Sequence, residues 1–314
     1  MTPQRPLTVS VIDPIGPALE KVKMMLFKPF ELRKWFVIGF CAWLAYLGSG
    51  GGNGGGGGGR GGRPPDIHEG FGQAKEFVLE SLNWIIPVGA IVVGLIIVLW
   101  LVLTWLSSRG RFMFLHCVAE NKAEVKVPWA KFRQHGNSLF LFRIVLGLIG
   151  FAAIGLPCLF IFALIAVMVA GNVPGLAVVL GLIAIILVIV PIAIILLLVS
   201  KFTTDFVVPI MSLRTTSCTA GWREFLTILS VNKARFALYI LFQIIIALAI
   251  GAIILTAVFV TCCCAACILA IPYIGTVLML PVLVFKRAYS LLYLGQFGSE
   301  FDVFRPETET IQPA

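Results

Sequence analysis

Long apolar runs separated by short polar segments are the most regular pattern in this sequence. A helix that crosses the hydrocarbon core of a bilayer needs about 20 apolar residues. Residues 84–106, 142–170 and 174–200 each reach that length, and the stretch from Phe236 to Phe285 is long enough for two helices. The pattern therefore predicts an all-α protein, a polytopic transmembrane helical bundle.

The first and last apolar segments decide the number of spans. The first segment, 35–49, is shorter than an ordinary span. The last stretch predicts two spans, 236–261 and 268–287, with a turn near Pro272 and Gly275 because proline and glycine favour turns. Together these segments predict six helices arranged as three hairpins.

The positions of lysine and arginine predict the orientation of the six spans, because cytoplasmic loops are enriched in both residues. From the N terminus, the seven polar segments contain six, three, seven, none, five, none and three of them. With both termini in the cytoplasm, 21 of these cations lie inside and 3 outside. If 35–49 did not cross, the loop with seven cations would lie opposite the N-terminal arm. We therefore expect 35–49 to cross, with local thinning of the bilayer.

Composition favours a membrane protein over a soluble one. Apolar residues make up 59% of the chain and charged residues only 12%, with a mean hydropathy of +1.01. Soluble domains have about 45–50% apolar and about 25% charged residues. The net charge of +9 would suggest nucleic acid for a soluble protein. Here the cations cluster on the cytoplasmic side, which predicts anionic lipid headgroups and no nucleic acid as partners.

Three segments outside the spans have their own composition. Residues 1–34 predict a cytoplasmic amphipathic arm, and they do not have the form of a signal peptide. The external loop 50–63 is rich in glycine, which predicts a flexible linker. It contains no Gly-Lys-Ser/Thr sequence, so a phosphate-binding loop is not supported. Residues 299–314 predict a flexible C-terminal tail.

The two large cytoplasmic loops form an internal repeat. A shift of 93 residues aligns Ser107 with Ser200, Trp129 with Trp222, and Phe132 with Phe225. In both copies a span is followed by a connection and a Trp-x-x-Phe segment that leads into the next span. These segments, like the N-terminal arm, predict cytoplasmic interfacial helices with aromatic anchors. They could serve as plain anchors, or they could sense lipid or dock a partner.

Charged side chains at the ends of the spans form the first candidate site. Charges in or near a bilayer are costly and therefore often functional. The six residues that the predicted topology places near the cytoplasmic face are Arg109, Arg111, Arg143, Asp205, Lys286 and Arg287. Arginine suits a lipid phosphate through its forked geometry, which predicts a headgroup site. The alternatives are a buried structural network and cations that only extend to the interface.

A cluster of cysteines is a second, weaker candidate. Cys263, Cys264 and Cys267 are spaced so that pairs of them share a helical face, which a soft metal could use. No His, Asp or Glu lies nearby, and small polarizable residues also let membrane helices pack closely. We therefore expect no metal or other cofactor. The three histidines are scattered and no acid–base constellation is visible, so we do not expect an enzyme.

Several short stretches along the chain form a recognisable set, among them Lys28-Pro29-Phe30, Ser108-Arg109-Gly110-Arg111-Phe112, Ala288-Tyr289-Ser290 and Gln296-Phe297-Gly298. Together they resemble an uncharacterised family of bacterial multi-pass membrane proteins. The resemblance covers most of the chain, carries no catalytic or ligand motif, and implies a bacterial cytoplasmic membrane. The layout of hairpins with interfacial segments is also distantly similar to the glycerophosphoryl diester phosphodiesterase membrane domain. The catalytic domain of those enzymes is absent from this sequence.

These observations favour a non-catalytic accessory protein that binds lipid or a protein partner in a bacterial cytoplasmic membrane. The alternative is a transporter or channel for a small solute. It is supported by the hairpin repeats and by prolines at Pro87, Pro157, Pro191 and Pro281, one in each of four spans. A polar cavity at mid-membrane would favour transport, whereas a solid apolar bundle would favour the accessory role.

Overall fold

The computed structural model describes residues 9–47, 67–169, 175–261 and 264–304. The described residues are helical with short connections and contain no strand, so the all-α prediction is confirmed. The helices are α1 (Ile15–Val22), α2 (Leu32–Tyr46), α3 (Ile67–Glu120), α4 (Lys126–Lys131), α5 (Arg133–Val169), α6 (Gly175–Phe202), α7 (Val208–Arg214), α8 (Cys218–Val231), α9 (Lys233–Val260), α10 (Cys264–Ala270), α11 (Pro272–Leu278) and α12 (Leu280–Gly295). Two π-helical turns, Lys23–Phe27 and Thr203–Val207, and a short 3₁₀ turn, Ser299–Phe301, complete the elements.

Four helical segments of the described chain are long and apolar enough to cross a membrane. They are Pro87–Glu120, Arg133–Ala163, Val179–Arg214 and Lys233–Val260. Their large apolar side chains are widely exposed, as at Phe151, Leu187 and Ile253. Lipid acyl chains can cover such surfaces and water cannot do so favourably. The four helices therefore indicate a membrane protein, and they overlap the second to fifth predicted spans.

The first predicted span, 35–49, corresponds to the short helix α2. Its 15 residues extend about 22 Å, less than the ~30 Å of a hydrocarbon core. It runs antiparallel to the end of α3, because Lys34 Nζ donates to Asn121 Oδ1 at 2.9 Å and Ser107 Oγ donates to the Ala45 carbonyl at 2.9 Å. The glycine-rich loop, 50–63, lies outside the described residues, as do 305–314 of the predicted tail.

The last apolar stretch has more breaks than the single turn predicted near Pro272 and Gly275. Helix α9 ends at Val260, and the chain then forms α10, α11 and α12. Ile271, which precedes Pro272, is extended, as is usual before proline. A Cβ atom at Gly275 would lie 2.3 Å from the Leu269 carbonyl oxygen, so only glycine fits there. The predicted span 268–287 is thus divided among three helices.

A compact core lies at one end of the long helices. It is built from α1, α2, the last part of α3, the segment 203–214, α8, the start of α9, and α12. The largest side chains buried in it are aromatic: Phe112, Phe206, Phe225, Phe236, Tyr239, Tyr289 and Tyr293. Burial raises the pKa of Tyr293 to about 12, so its hydroxyl stays protonated and donates to the Arg235 carbonyl at 2.9 Å.

The two copies of the repeat have the same order of elements. In each copy a long helix ends, a shorter helix follows, and a second long helix begins, as in α3–α4–α5 and in α6–α7–α8–α9. Asn121 and Thr215, which directly follow the first long segment of each copy, both have a positive φ, of 57° and 51°. The shared left-handed residue turns the chain in the same way in both copies.

The π-helical turn Thr203–Val207 inserts one residue into the second copy. A π turn contains one residue more than an α turn. Phe112 stacks on Phe132 with ring centroids 5.6 Å apart, and Phe206 stacks on Phe225 at 5.3 Å. Phe112 and Phe206 are 94 positions apart in the chain, one more than the shift that aligns the Trp-x-x-Phe segments. The extra residue also places Asp205 at the position that corresponds to Arg111.

We predict that Gly110→Ala destabilises the protein, because α3 and α2 touch at this glycine. A Cβ atom there would lie 2.5 Å from the Leu44 carbonyl carbon and 2.6 Å from the Ala45 nitrogen, both of them backbone atoms. Forced separation of packed helices should lower the free energy of unfolding by about 1–3 kcal/mol, measured by thermal unfolding in detergent. Gly94→Ala, also in α3 and with nothing within 4 Å, is the control. Equal midpoints for both variants would contradict the close contact.

Candidate functional site

Three helical segments converge on Thr204. Arg111, from the last part of α3, donates from Nη1 to the Thr204 hydroxyl at 2.7 Å. Arg287, from α12, donates from Nη1 to the Thr204 carbonyl oxygen. The Thr204 hydroxyl in turn donates to the Ser200 carbonyl at 3.0 Å. Two arginines that are far apart in sequence thus bind the same threonine.

The local sequence explains why the Thr204 carbonyl can accept from a side chain. In the π-helical turn the Val208 N–H donates to the Thr203 carbonyl, five residues back. The next donor in that pattern would be residue 209, which is proline and has no N–H. The Thr204 carbonyl therefore lacks this backbone partner, and a buried carbonyl without a partner is costly. Arg287 supplies the hydrogen bond.

Asp205, the residue after Thr204, forms an ion pair and a hydrogen bond of its own. Its Oδ2 atom accepts from Lys201 Nζ at 2.8 Å and from the Tyr239 hydroxyl at 3.0 Å. Gln243 Nε2 donates to the same tyrosine oxygen at 3.0 Å. The carboxylate is buried, while Lys201 is partly exposed. A line of polar groups therefore leads from Gln243 on α9 to Lys201 on α6.

Two further cations lie close to these groups. Arg143 donates from Nη1 to the hydroxyls of Ser107 and Ser108, at 3.1 and 3.2 Å, and lies near enough to act electrostatically on Arg111. Lys286, next to Arg287 in the chain, lies within electrostatic range of Lys201 and Asp205. We call Arg111, Arg143, Lys201, Thr204, Asp205, Lys286 and Arg287 the Thr204 cluster. It contains five cationic side chains and one carboxylate.

Arg287 has unused donors in this cluster. Its Nε and Nη2 atoms are buried and have no hydrogen-bond partner within the described part of the chain. A buried donor left without a partner costs about 1–3 kcal/mol. The two atoms lie on the same edge of the guanidinium group, which is the edge that binds two oxygens of an oxyanion side by side.

Arg109 has a different set of partners from the other predicted site residues. Its guanidinium carbon is 4.3 Å from the Trp105 ring centroid and 5.0 Å from that of Trp129, and Nη2 donates to Asn137 Oδ1 at 3.2 Å. Residues two apart on a helix point to nearly opposite sides. Arg109 therefore links α3 to α4 and α5, whereas Arg111 points into the cluster. The other five predicted residues lie in the cluster or directly beside it.

The structure adds three residues that the sequence reasoning missed: Lys201, Thr204 and Tyr239. Lys201 is four residues before Asp205 on one helix, and this spacing could have predicted the ion pair. Thr204 and Tyr239 gave no such signal. Their roles depend on the missing N–H of Pro209 and on the packing of α9.

The cysteine prediction falls mainly outside the described residues, because Cys263 and the preceding Cys262 are not described. Cys267 is exposed on α10. Within the described ranges no three His, Cys, Asp or Glu side chains form a group that could hold a metal ion. The suggestion that Cys263, Cys264 and Cys267 bind a metal therefore stays a hypothesis.

We predict that Asp205→Ala lowers the free energy of unfolding, because it leaves Lys201 and Tyr239 without their shared acceptor. The cost should be about 2 kcal/mol, below that of a fully buried pair because Lys201 reaches solvent. Adding Lys201→Met should recover part of the loss, as measured by thermal unfolding in detergent. Glu224→Ala, which removes an acceptor of the partly exposed Arg214, should change little. A double variant no more stable than the single one would contradict the pairing.

Comparison with known proteins identifies a family. Residues 9–280 match the Family of unknown function (DUF7544). No curated protein and no solved structure matches the sequence. These comparisons give no support to the similarity with the glycerophosphoryl diester phosphodiesterase membrane domain. Because the match covers most of the chain, the protein belongs to the family of unknown function DUF7544.

Proposed function

We propose that this protein is a non-catalytic accessory protein of a bacterial cytoplasmic membrane, and that it binds an anionic lipid headgroup at the Thr204 cluster. The observation that carries the proposal is the excess of positive charge, with five cationic side chains around one carboxylate. Arg111, Arg287 and Asp205 are buried, and the other three cations are partly exposed. Buried positive charge is costly unless an anion balances it. Anionic lipids of the cytoplasmic leaflet supply such groups.

The surface next to the cluster supports a lipid ligand. Leu197 is 69% exposed and lies one helical turn before Lys201, so both side chains share a face of α6. An exposed leucine among apolar neighbours suits acyl chains, and a lysine one turn further along suits the headgroup. The cluster would thus open towards lipid on the side of α6.

The N-terminal arm would hold this end of the protein at the bilayer surface. Leu19, Met24, Phe27 and Phe30 are exposed, and lysines stand among them at positions 21, 23 and 28. An apolar stripe with lysines beside it is typical of helices that lie in the headgroup region. We therefore assign the arm an anchoring role, with a protein partner as the alternative occupant of the exposed stripe.

The directions of the helices support a six-helix layout of three hairpins with both termini in the cytoplasm. Helices α3, α6 and α12 all bring residues to the cluster from the same side, through Arg111, Lys201 and Arg287. Helices α5 and α9 run in the opposite direction, whereas α2 runs antiparallel to the end of α3 and ends beside the cluster, where Ser107 donates to the Ala45 carbonyl. The pairs α2–α3, α5–α6 and α9–α12 would form the hairpins, with α2 and α10–α12 as the irregular members.

We predict that the glycine-rich loop is external. An epitope inserted between Gly55 and Gly56 should be cleaved by protease added to intact spheroplasts, because α2 and the residues after it would cross the membrane. The same epitope between Lys122 and Ala123 should be protected there and cleaved in inverted vesicles. If protease on one side cleaved both epitopes equally, the chain would not cross the membrane at α2. That result would not bear on the four longer helices.

A transporter for a small solute is the second candidate, and the polar line from Gln243 through Tyr239 and Asp205 to Lys201 favours it. Solute flux through proteoliposomes that disappears in Gln243→Leu would support transport. Lipid retention without flux would support the accessory role.

We predict that native mass spectrometry of the protein released from its own membrane will show a retained anionic lipid. Arg143→Ala combined with Arg287→Ala should abolish retention, because two of the five cations are removed. Lys126→Ala combined with Arg223→Ala removes the same charge from exposed positions and is the control. Absence of retained lipid in the wild type, or equal loss in both double variants, would contradict a headgroup site at the cluster.

A further inference from the structure

The unused edge of Arg287 is the most specific polar feature of the Thr204 cluster. Arg287 is only 5% exposed, and its Nη1 atom is committed to the Thr204 carbonyl. Nε and Nη2 have no partner within the described residues. These two N–H groups are parallel and match two oxygens of one oxyanion. A ligand that used them would be held in a fixed orientation, unlike one attracted only by charge.

No carboxylate of the cluster takes this position. Asp205 already accepts from Lys201 and Tyr239 through Oδ2, and neither bond involves Arg287. Asp205 and the phenols of Tyr46 and Tyr239 lie within electrostatic range of Arg287. The other charged neighbours are cations: Arg111, which is bound to Thr204, and the partly exposed Lys201 and Lys286. With this excess of positive charge, a phosphate group, which offers more negative charge and more oxygens, fits better than a single carboxylate.

The partly exposed lysines also indicate the route by which a ligand would reach Arg287. The Nε and Nη2 atoms of Arg287 have almost no accessible surface, so a ligand reaches them only if a neighbouring side chain moves. The side chain of Lys201 is 39% exposed and carries a long flexible stem. It lies on the α6 face that displays Leu197. A phosphate group would therefore approach from the lipid-facing side of α6, past Lys201 and Lys286.

We infer that the Nε and Nη2 edge of Arg287 binds a phosphate group, with Lys201 and Lys286 neutralising its remaining charge. This inference rests on the proposed headgroup-binding function and assigns it one chemical group and one orienting residue. The phosphate group belongs to a lipid headgroup or to free phosphate, because both present the same oxygens.

Two variants that preserve charge distinguish recognition by the paired Nε and Nη2 donors from attraction by positive charge alone. Arg287→Lys keeps the positive charge but removes the planar pair of donors. Arg109→Lys makes the same change at a buried arginine that lies outside the Thr204 cluster and is the control. Both proteins, purified in detergent, are titrated by native mass spectrometry with dioleoyl phosphatidic acid. Inorganic phosphate is titrated in a separate arm, and dioleoylglycerol is the lipid control without phosphate.

We expect Arg287→Lys to weaken phosphatidic acid binding about tenfold or more, since two charge-assisted hydrogen bonds are lost. Arg109→Lys should weaken it less than about twofold, and dioleoylglycerol should bind none of the proteins specifically. If inorganic phosphate shows the same dependence on Arg287 and phosphatidic acid does not, the ligand is free phosphate. If wild type and Arg287→Lys bind both phosphatidic acid and inorganic phosphate equally well, recognition by the paired donors of Arg287 is overturned. The proposed function then still stands if the double alanine variant loses lipid.

A second measurement keeps the inference testable if Arg287→Lys does not fold. Phosphatidic acid or inorganic phosphate should raise the thermal midpoint of the wild-type protein, because a ligand that binds only the folded state stabilises it. Dioleoylglycerol should leave the midpoint unchanged. No shift with either phosphate compound, or the same shift with dioleoylglycerol, overturns phosphate recognition.

Discussion

The missing N–H of Pro209 determines how the helices meet at one end of this protein. It leaves the Thr204 carbonyl without a backbone donor in the π-helical turn, and Arg287 supplies one from α12. Arg111 binds the hydroxyl of the same threonine from α3. In a region of low dielectric such bonds are strong and an unpaired group is costly. One irregular turn thus joins three helices that are distant in sequence.

The π-helical turn also explains why two similar halves do not carry the same charge. Its extra residue shifts the register, so that Asp205 occupies the position in the second copy that Arg111 occupies in the first. Without the insertion, the neutral Thr204 would occupy the position in the second copy that is equivalent to Arg111 in the first. The insertion therefore supplies both the carbonyl that Arg287 uses and the carboxylate that Lys201 and Tyr239 bind. A repeat can give rise to an asymmetric polar site in this way without any change in its helical order.

The sequence predicted the parts of the fold that depend on helix length and apolar composition. The helices that contain residues 84–106, 142–170 and 174–200 follow from uninterrupted apolar runs, and Arg111 and Arg287 were found because charges near a bilayer are costly. The break before α11 agrees with the turn predicted near Pro272, whereas the further break at Met279, between α11 and α12, was missed because no glycine or proline occupies that position. Arg109 was grouped with Arg111 from its charge and position alone, although helical spacing places residues two apart on nearly opposite sides. Tyr239 was missed because its acceptor lies on another helix.

The choice of arginine over lysine separates two explanations of the cluster. Attraction of an anionic surface needs positive charge alone, and the flexible Lys201 and Lys286 would provide it at lower desolvation cost. A buried guanidinium is justified where its planar donors are used, and Arg287 uses one of them on Thr204 and leaves the opposite edge free of protein partners in the described chain. Arg109 shows the other use of the same side chain, since its guanidinium contacts the rings of Trp105 and Trp129 and holds α3 against α4. Both arginines are predicted as site residues from the same pattern of charges at the ends of the spans. Of the two, Arg287 has the free edge whose geometry distinguishes a phosphate group from a diffuse negative charge.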